Sequence, residues 1–167
     1  MKGHLFIVLV GLCIIFSGCG DGGKEAQYFM TTLTLKDQSG KETTDFSQGE
    51  NITFELSITN GSDSPKSLTL ASPQTYEFIV APTGETQPIW HWSFGKGFPA
   101  VIVELSFAAG ETKTWQEIWD QKDDLGNAVV VGNYVAQGFM WTMQEAGNDA
   151  ISAETETRSA QVSLNIK

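Results

Sequence analysis

Strict alternation is the feature that most constrains this chain. Ile52, Phe54, Leu56 and Ile58 are apolar, and Thr53, Glu55, Ser57 and Thr59 between them are polar. A period of two puts every apolar side chain on one face of an extended strand, so the segment needs a sheet with one face covered and one wet. Asn60-Gly61-Ser62-Asp63 closes the run with turn-forming residues. The alternation returns at Tyr76, Phe78 and Val80 ahead of Pro82-Thr83-Gly84, and at Val101, Val103, Leu105 and Phe107 ahead of Ala109-Gly110-Glu111. Further strands are expected over 28–35, 112–119, 133–141 and 160–166, and no segment carries a convincing helical period. Short strands set apart by Gly, Pro, Asn and Asp predict an all-β fold, an antiparallel immunoglobulin-like β-sandwich of about 7–9 strands. A small barrel is the alternative. Residues 145–158, polar and carrying Gly147-Asn148-Asp149, read as a looser segment.

Such a domain must hold together by packing. No cysteine follows Cys19, so an internal disulfide, a thiol nucleophile and a thiolate metal site are all excluded from the sandwich. Five Trp and ten Phe supply the large apolar area the core needs. The 20 Asp and Glu outnumber the 10 Lys and Arg, giving a formal net charge of −10. That excess excludes nucleic acid and anionic lipid as charge-bound partners. It keeps the domain soluble and suits a partner with a basic patch.

The N-terminus reads as an export signal. Lys2 precedes an apolar run over 5–16, and Ser17-Gly18 stand just before Cys19. The run is too short to span a hydrocarbon core of roughly 30 Å and has the charged start and small-residue end of a signal peptide. Phe16-Ser17-Gly18-Cys19 resembles a bacterial lipobox, whose cysteine becomes the lipidated first residue of the mature protein. The expected organisation is a lipoprotein signal peptide over 1–18, a flexible tether over 19–27 with its glycines at 20–23, and one domain over 28–167. The expected location is extracytoplasmic, on the cell membrane or outer membrane through an acyl anchor on Cys19. An ordinary secretory signal with a chance cysteine is the alternative.

From Gly49 to Trp141 the residues form an ordered pattern. It begins with Gly49-Glu50-Asn51-Ile52-Thr53-Phe54-Glu55-Leu56 and continues with Trp90-His91-Trp92-Ser93 and Phe98. Ala109-Gly110-Glu111-Thr112, Trp115 and Trp119-Asp120-Gln121-Lys122-Asp123 follow, and Gly126 and Gly132-Asn133-Tyr134 close the set. This pattern resembles the BsuPI family, the bacterial intracellular proteinase inhibitors. The resemblance implies a small β-sandwich that binds, and inhibits, a subtilisin-like serine protease. The export signal departs from an intracellular family and moves the implied protease outside the cytoplasm. Trp90, Trp92, Trp115, Trp119, Asp120, Gly126, Gly132 and Tyr134 are the residues of this signature, expected to be structural. Trp90 and Trp92 would share one strand face, as would Trp115 and Trp119, where indoles fill the space between sheets. Tyr134 after Gly132-Asn133 is a candidate corner tyrosine bonding to the backbone.

An inhibitor must present a preorganised segment on a rigid scaffold. The candidate contact loop is Phe94, Gly95, Lys96, Gly97, Phe98 and Pro99. A second candidate is the loop 120–131, with Asp123, Asp124 and Leu125. The competing expectation for the first loop is that both phenylalanines fold back onto the sandwich, with Gly95 and Gly97 leaving it mobile. Catalytic chemistry is not expected. His91, the sole histidine beyond His4, lies between two tryptophans in an apparent strand and reads as a polar, exposed imidazole. Ser93-Phe94-Gly95-Lys96 matches S-x-x-K without its companion motifs or a helical turn. The oxygen-rich stretch 120–127 lacks EF-hand spacing and has Lys122 among its carboxylates. Met140 and Met143, three apart, would not share a strand face with which to join His91 in a copper site. The chain is therefore expected to be no enzyme and to carry no cofactor or metal. Its expected partners are a serine protease or another envelope protein. A non-inhibitory cell-envelope scaffold module, using a sheet edge or the loop end, is the alternative. Carbohydrate binding through exposed tryptophans is a third reading.

Overall fold

The computed structural model describes residues 28–152, 154–155 and 157–167. The expected signal peptide, Cys19 and the tether lie outside them. The described residues form ten strands and no helix: β1 (Phe29–Lys36), β2 (Asp45–Phe46), β3 (Ile52–Asn60), β4 (Lys66–Leu70), β5 (Tyr76–Pro82), β6 (Trp90–His91), β7 (Val103–Phe107), β8 (Thr112–Trp119), β9 (Gly132–Met140) and β10 (Val162–Ile166). β1, β3 and β8 make one antiparallel sheet, β2-β10-β9-β5-β6 a second, and β4 pairs with β7. The short β2 runs parallel to β10, the one departure from antiparallel pairing among these strands.

Alternation produces the first sheet directly. Ile52, Phe54, Leu56 and Ile58 are wholly buried on one face of β3, and the intervening residues are half-exposed on the other. They meet Phe78, Val80, Ala136 and Met140 of the second sheet in one core. Gly138 permits the closest approach, since a Cβ there would lie 2.9 Å from Leu56 Cδ1. Strand β4 was not expected from the sequence, although its Leu68 and Leu70 alternate with polar neighbours and are buried.

The second sheet is covered on both faces. Every residue of β9 from Tyr134 to Met140 is buried. Val135 and Phe139 join Ile79, Ala81 and Ile151 in a small second core, away from the main one. The cover comes from Glu145, Asn148, Ala150, Ile151 and Arg158, which corrects the expectation of a loose segment over 145–158. Arg158 is fully buried and Glu145 nearly so, and their side chains pair at 2.8 Å. Arg158 also donates to Gln137 Oε1 and to the carbonyls of Asn148 and Ala150, and its guanidinium stacks 3.6 Å from the Phe139 ring centroid.

Candidate functional site

Two loops meet at the β6 edge of the second sheet. β6 pairs with β5, Trp90 opposite Val80 and His91 opposite Ile79, and the Trp92 N–H extends the pairing to the Phe78 carbonyl at 2.9 Å. Alternation turns Trp90 and Trp92 inward and His91 to the other side. Trp90 packs against Phe54 and Trp119 at 5.5 and 5.6 Å between centroids, and Trp92 against Tyr76 at 4.5 Å.

The exposed imidazole anticipated at His91 is instead clasped. Its Nδ1 lies 2.7 Å from Asp124 Oδ2, and its backbone N–H donates to Asp124 Oδ1 at 2.8 Å. Only 20% of the imidazole side chain is exposed. The Asp124 N–H returns a bond to the Ile89 carbonyl, so the loop after β8 is fastened to the strand that launches residues 93–99. This juxtaposition of the two candidate loops has no signal in the sequence.

Within the first loop the two phenylalanines separate. Phe98 folds back, its ring 6.1 Å from that of Trp92. Phe94 is 57% exposed and stands clear. The first half of the loop is held by backbone hydrogen bonds. The Phe94 N–H donates to the His91 carbonyl and the Lys96 N–H to the Ser93 carbonyl, with Gly95 at φ +74° completing the turn. The Lys96 ammonium caps the Trp92 ring at 3.4 Å, and burial pulls its pKa down. Ser93 N–H donates to Glu77 Oε1 at 3.1 Å. Glu77 lies in the buried run of β5, where burial pushes its carboxyl up while bonds from Ser93 and Phe78 oppose the shift. Sequence reasoning missed Glu77. The usable signal was an acid inside the apolar stretch Tyr76–Pro82.

The second loop is built as firmly. Asp123 accepts from the N–H groups of Leu125 and Asn127, and Gly126 holds φ +84° within that turn. Gln121 is buried at φ 57°, and its amide binds the carbonyls of Ser47 and Glu50 and the N–H of Gly49. Asp120 is exposed and pairs with Lys122 at 2.5 Å. Leu125 at the tip is 82% exposed. The carboxylates of this loop all accept from protein donors, and among the described residues no group of three metal-ligating side chains occurs.

The other signature residues lie inside the scaffold. Trp119 is fully buried with its Nε1–H on the Lys122 carbonyl at 2.8 Å, and Trp115 is half-buried, 6.0 Å from Tyr76. The Tyr134 hydroxyl donates to the Val130 carbonyl at 2.6 Å, the bond of a corner tyrosine, and Gly132 begins β9. Met140 is buried and Met143 is exposed. Between the two loops lies an open cleft of about 260 Å³ whose walls include His91, Phe94, Lys122 and Asp124. A neighbouring one of about 350 Å³ adds Glu77, Trp141 and Asp149. Phe94 stands where the two join.

Similar solved structures include a DNA glycosylase, AlkC, of Pseudomonas fluorescens (10% identity, 84% of this chain and 30% of that one, TM-score 0.45). A β-glucosidase of Listeria innocua matches at 12% identity over 84% of this chain and 16% of its own, with a TM-score of 0.43. The CARDB domain of PF1109 from Pyrococcus furiosus matches at 10% over 84% and 97%, with a TM-score of 0.40. The chain thus spans less than a third of the first two, and likenesses this distant carry no argument about its activity. No curated protein matches it in sequence. The family model described as "Intracellular proteinase inhibitor" matches residues 40–145, which take in both loops and every tryptophan discussed above, and the chain belongs to this BsuPI family.

Proposed function

We propose that this chain is a membrane-tethered protease-binding domain that offers Phe94 to the primary pocket of a subtilisin-like serine protease outside the cytoplasm. The observation that carries the reading is a 57% exposed aromatic at the head of a loop fixed on Trp92 and Glu77. A large apolar side chain held out by a rigid frame loses little conformational freedom on docking, which is what a tight inhibitor needs. Phe94 then acts as the anchor and Leu125 on the adjoining loop as a second apolar contact. The family description supports a protease as the partner. The lipobox-like Phe16-Ser17-Gly18-Cys19 supports a lipid anchor, which sets the compartment of that protease.

Titrating the purified chain against a subtilisin-like protease, with a small chromogenic substrate, tests this. Stoichiometric loss of activity with the chain uncleaved is expected, and Phe94→Asp should weaken inhibition about 30-fold or more, the weight of a hot-spot aromatic. Full protease activity at large excess of the chain would refute inhibition of that protease class and favour the envelope-scaffold reading. Cys19→Ala should abolish partition into membranes.

A further inference from the structure

We infer that β8 is a dimerisation edge, pairing antiparallel with β8 of a second copy around a two-fold axis at Trp115. β8 ends its sheet, with β3 on one side only. The Asn60 N–H donates to the Glu111 carbonyl at 2.9 Å, which sets the phase of the ladder. Hydrogen-bonded rungs to β3 recur at every second residue, Lys113, Trp115, Glu117 and Trp119. The main-chain groups of Thr112, Thr114, Gln116 and Ile118 therefore point away from β3. Among the described residues no backbone hydrogen bond reaches them.

Protein edges are normally blunted by short length, proline, bulges or clustered lysines. β8 is eight residues long, pairs with β3 without interruption, has no proline and carries one lysine. Its outward side chains are uncharged and Ile118 is 62% exposed, and its inward-facing charges, Lys113 and Glu117, are one of each sign, so a second copy can match the charges that would repel other strands.

The sequence of β8 is complementary to itself. Outward groups pair only with outward groups, so an antiparallel copy must set even-numbered residues opposite even-numbered ones. With the axis at Trp115, Thr114 pairs with Gln116 and Thr112 with Ile118 through main-chain bonds. The same register sets Lys113 opposite the second copy's Glu117, and by symmetry does so twice. It also brings the two half-buried Trp115 side chains together. Moving the axis to Thr114 sets Glu111 against Glu117, and moving it to Gln116 sets Trp115 against Glu117, so each loses the charge match. Lys113 and Glu117 are each half-buried, with Lys113 on Glu111 at 2.8 Å and Glu117 on the Tyr76 hydroxyl at 2.5 Å. The dimer makes one continuous six-stranded sheet.

The test is sedimentation of the full chain in mild detergent, at about 0.15 M salt so that the charge of −10 on each copy is screened. The wild type should show a concentration-dependent dimer in the micromolar range. Lys113→Glu puts like charges opposite one another twice and should weaken the dimer at least about tenfold. Lys113→Glu with Glu117→Lys should restore it. Gln116→Pro removes the outward N–H together with the exposed side-chain bond from Gln116 to Glu55, and should give a monomer whose circular dichroism matches the wild type. A wild type that stays monomeric at high concentration overturns the inference. So does a dimer that survives Gln116→Pro, or one that the charge swap fails to restore.

Discussion

Replacing Arg158 by Met tests whether a buried ion pair holds the second core. The side chain is wholly buried, and it satisfies Glu145, Gln137 and the carbonyls of Asn148 and Ala150 at once. Met fills much of the volume and can lie on Phe139, so the loss is mainly electrostatic. A carboxylate left buried without its cation costs about 3–5 kcal/mol, a large share of the roughly 5–15 kcal/mol that holds a domain folded. With a urea dependence of about 2 kcal/mol per molar, the unfolding midpoint should fall by about 1.5–2.5 M, read by tryptophan fluorescence. The double variant Arg158→Met, Glu145→Met removes the stranded charge and should regain at least half of that loss. A single variant within about 0.5 kcal/mol of wild type, as at an ordinary surface position, would refute the argument. So would a double variant as unstable as the two single losses combined.

Trp119→Ala should cost about 3–5 kcal/mol, because it empties a fully buried site and strands the Lys122 carbonyl, and chemical denaturation measures this. Glu77→Gln should flatten the fall in stability at rising pH. Burial raises the folded-state pKa of Glu77 above its ordinary 4.5, so the native state holds the proton more tightly than the unfolded one. Its contribution is favourable below that ordinary value and is lost as pH rises through the raised one. Thermal unfolding at several pH values should show the variant gaining on wild type as pH rises above the ordinary 4.5, and parallel curves would argue against it.

What the sequence reveals is set by period. Ile52 to Thr59, Tyr76 to Val80 and Thr112 to Trp119 lie in strands with one dominant buried face or a clear apolar run, and these were legible as strands. β2 has only two residues, too few to express a period. Residues 145–158 misled for a different reason. Their cover over β9 relies on polar groups, Arg158 above all, and composition reads polar residues as solvated. A lone cation in that otherwise acidic and neutral stretch was the one available clue. At the candidate site, the fold-back of Phe98 but not Phe94 depends on which ring reaches Trp92, a matter of loop geometry that spacing does not encode.

The same buried polar groups connect the scaffold to the loop it displays. β9 is held from one side by the main core and from the other by the Arg158 clasp, and β5 lies beside it along seven paired residues. From β5, Glu77 reaches out of the sheet to the backbone of Ser93, and Asp124 closes on His91 from the opposite loop. Each of these bonds leaves the backbone fewer ways to move at the root of Phe94. A hydrophobic sandwich alone would fix the strands and leave the rim to its glycines. Here the carboxylates at positions 77 and 124 carry rigidity from the core to the rim. Preorganisation of the exposed aromatic is therefore a property of the polar residues beneath it as much as of the loop itself.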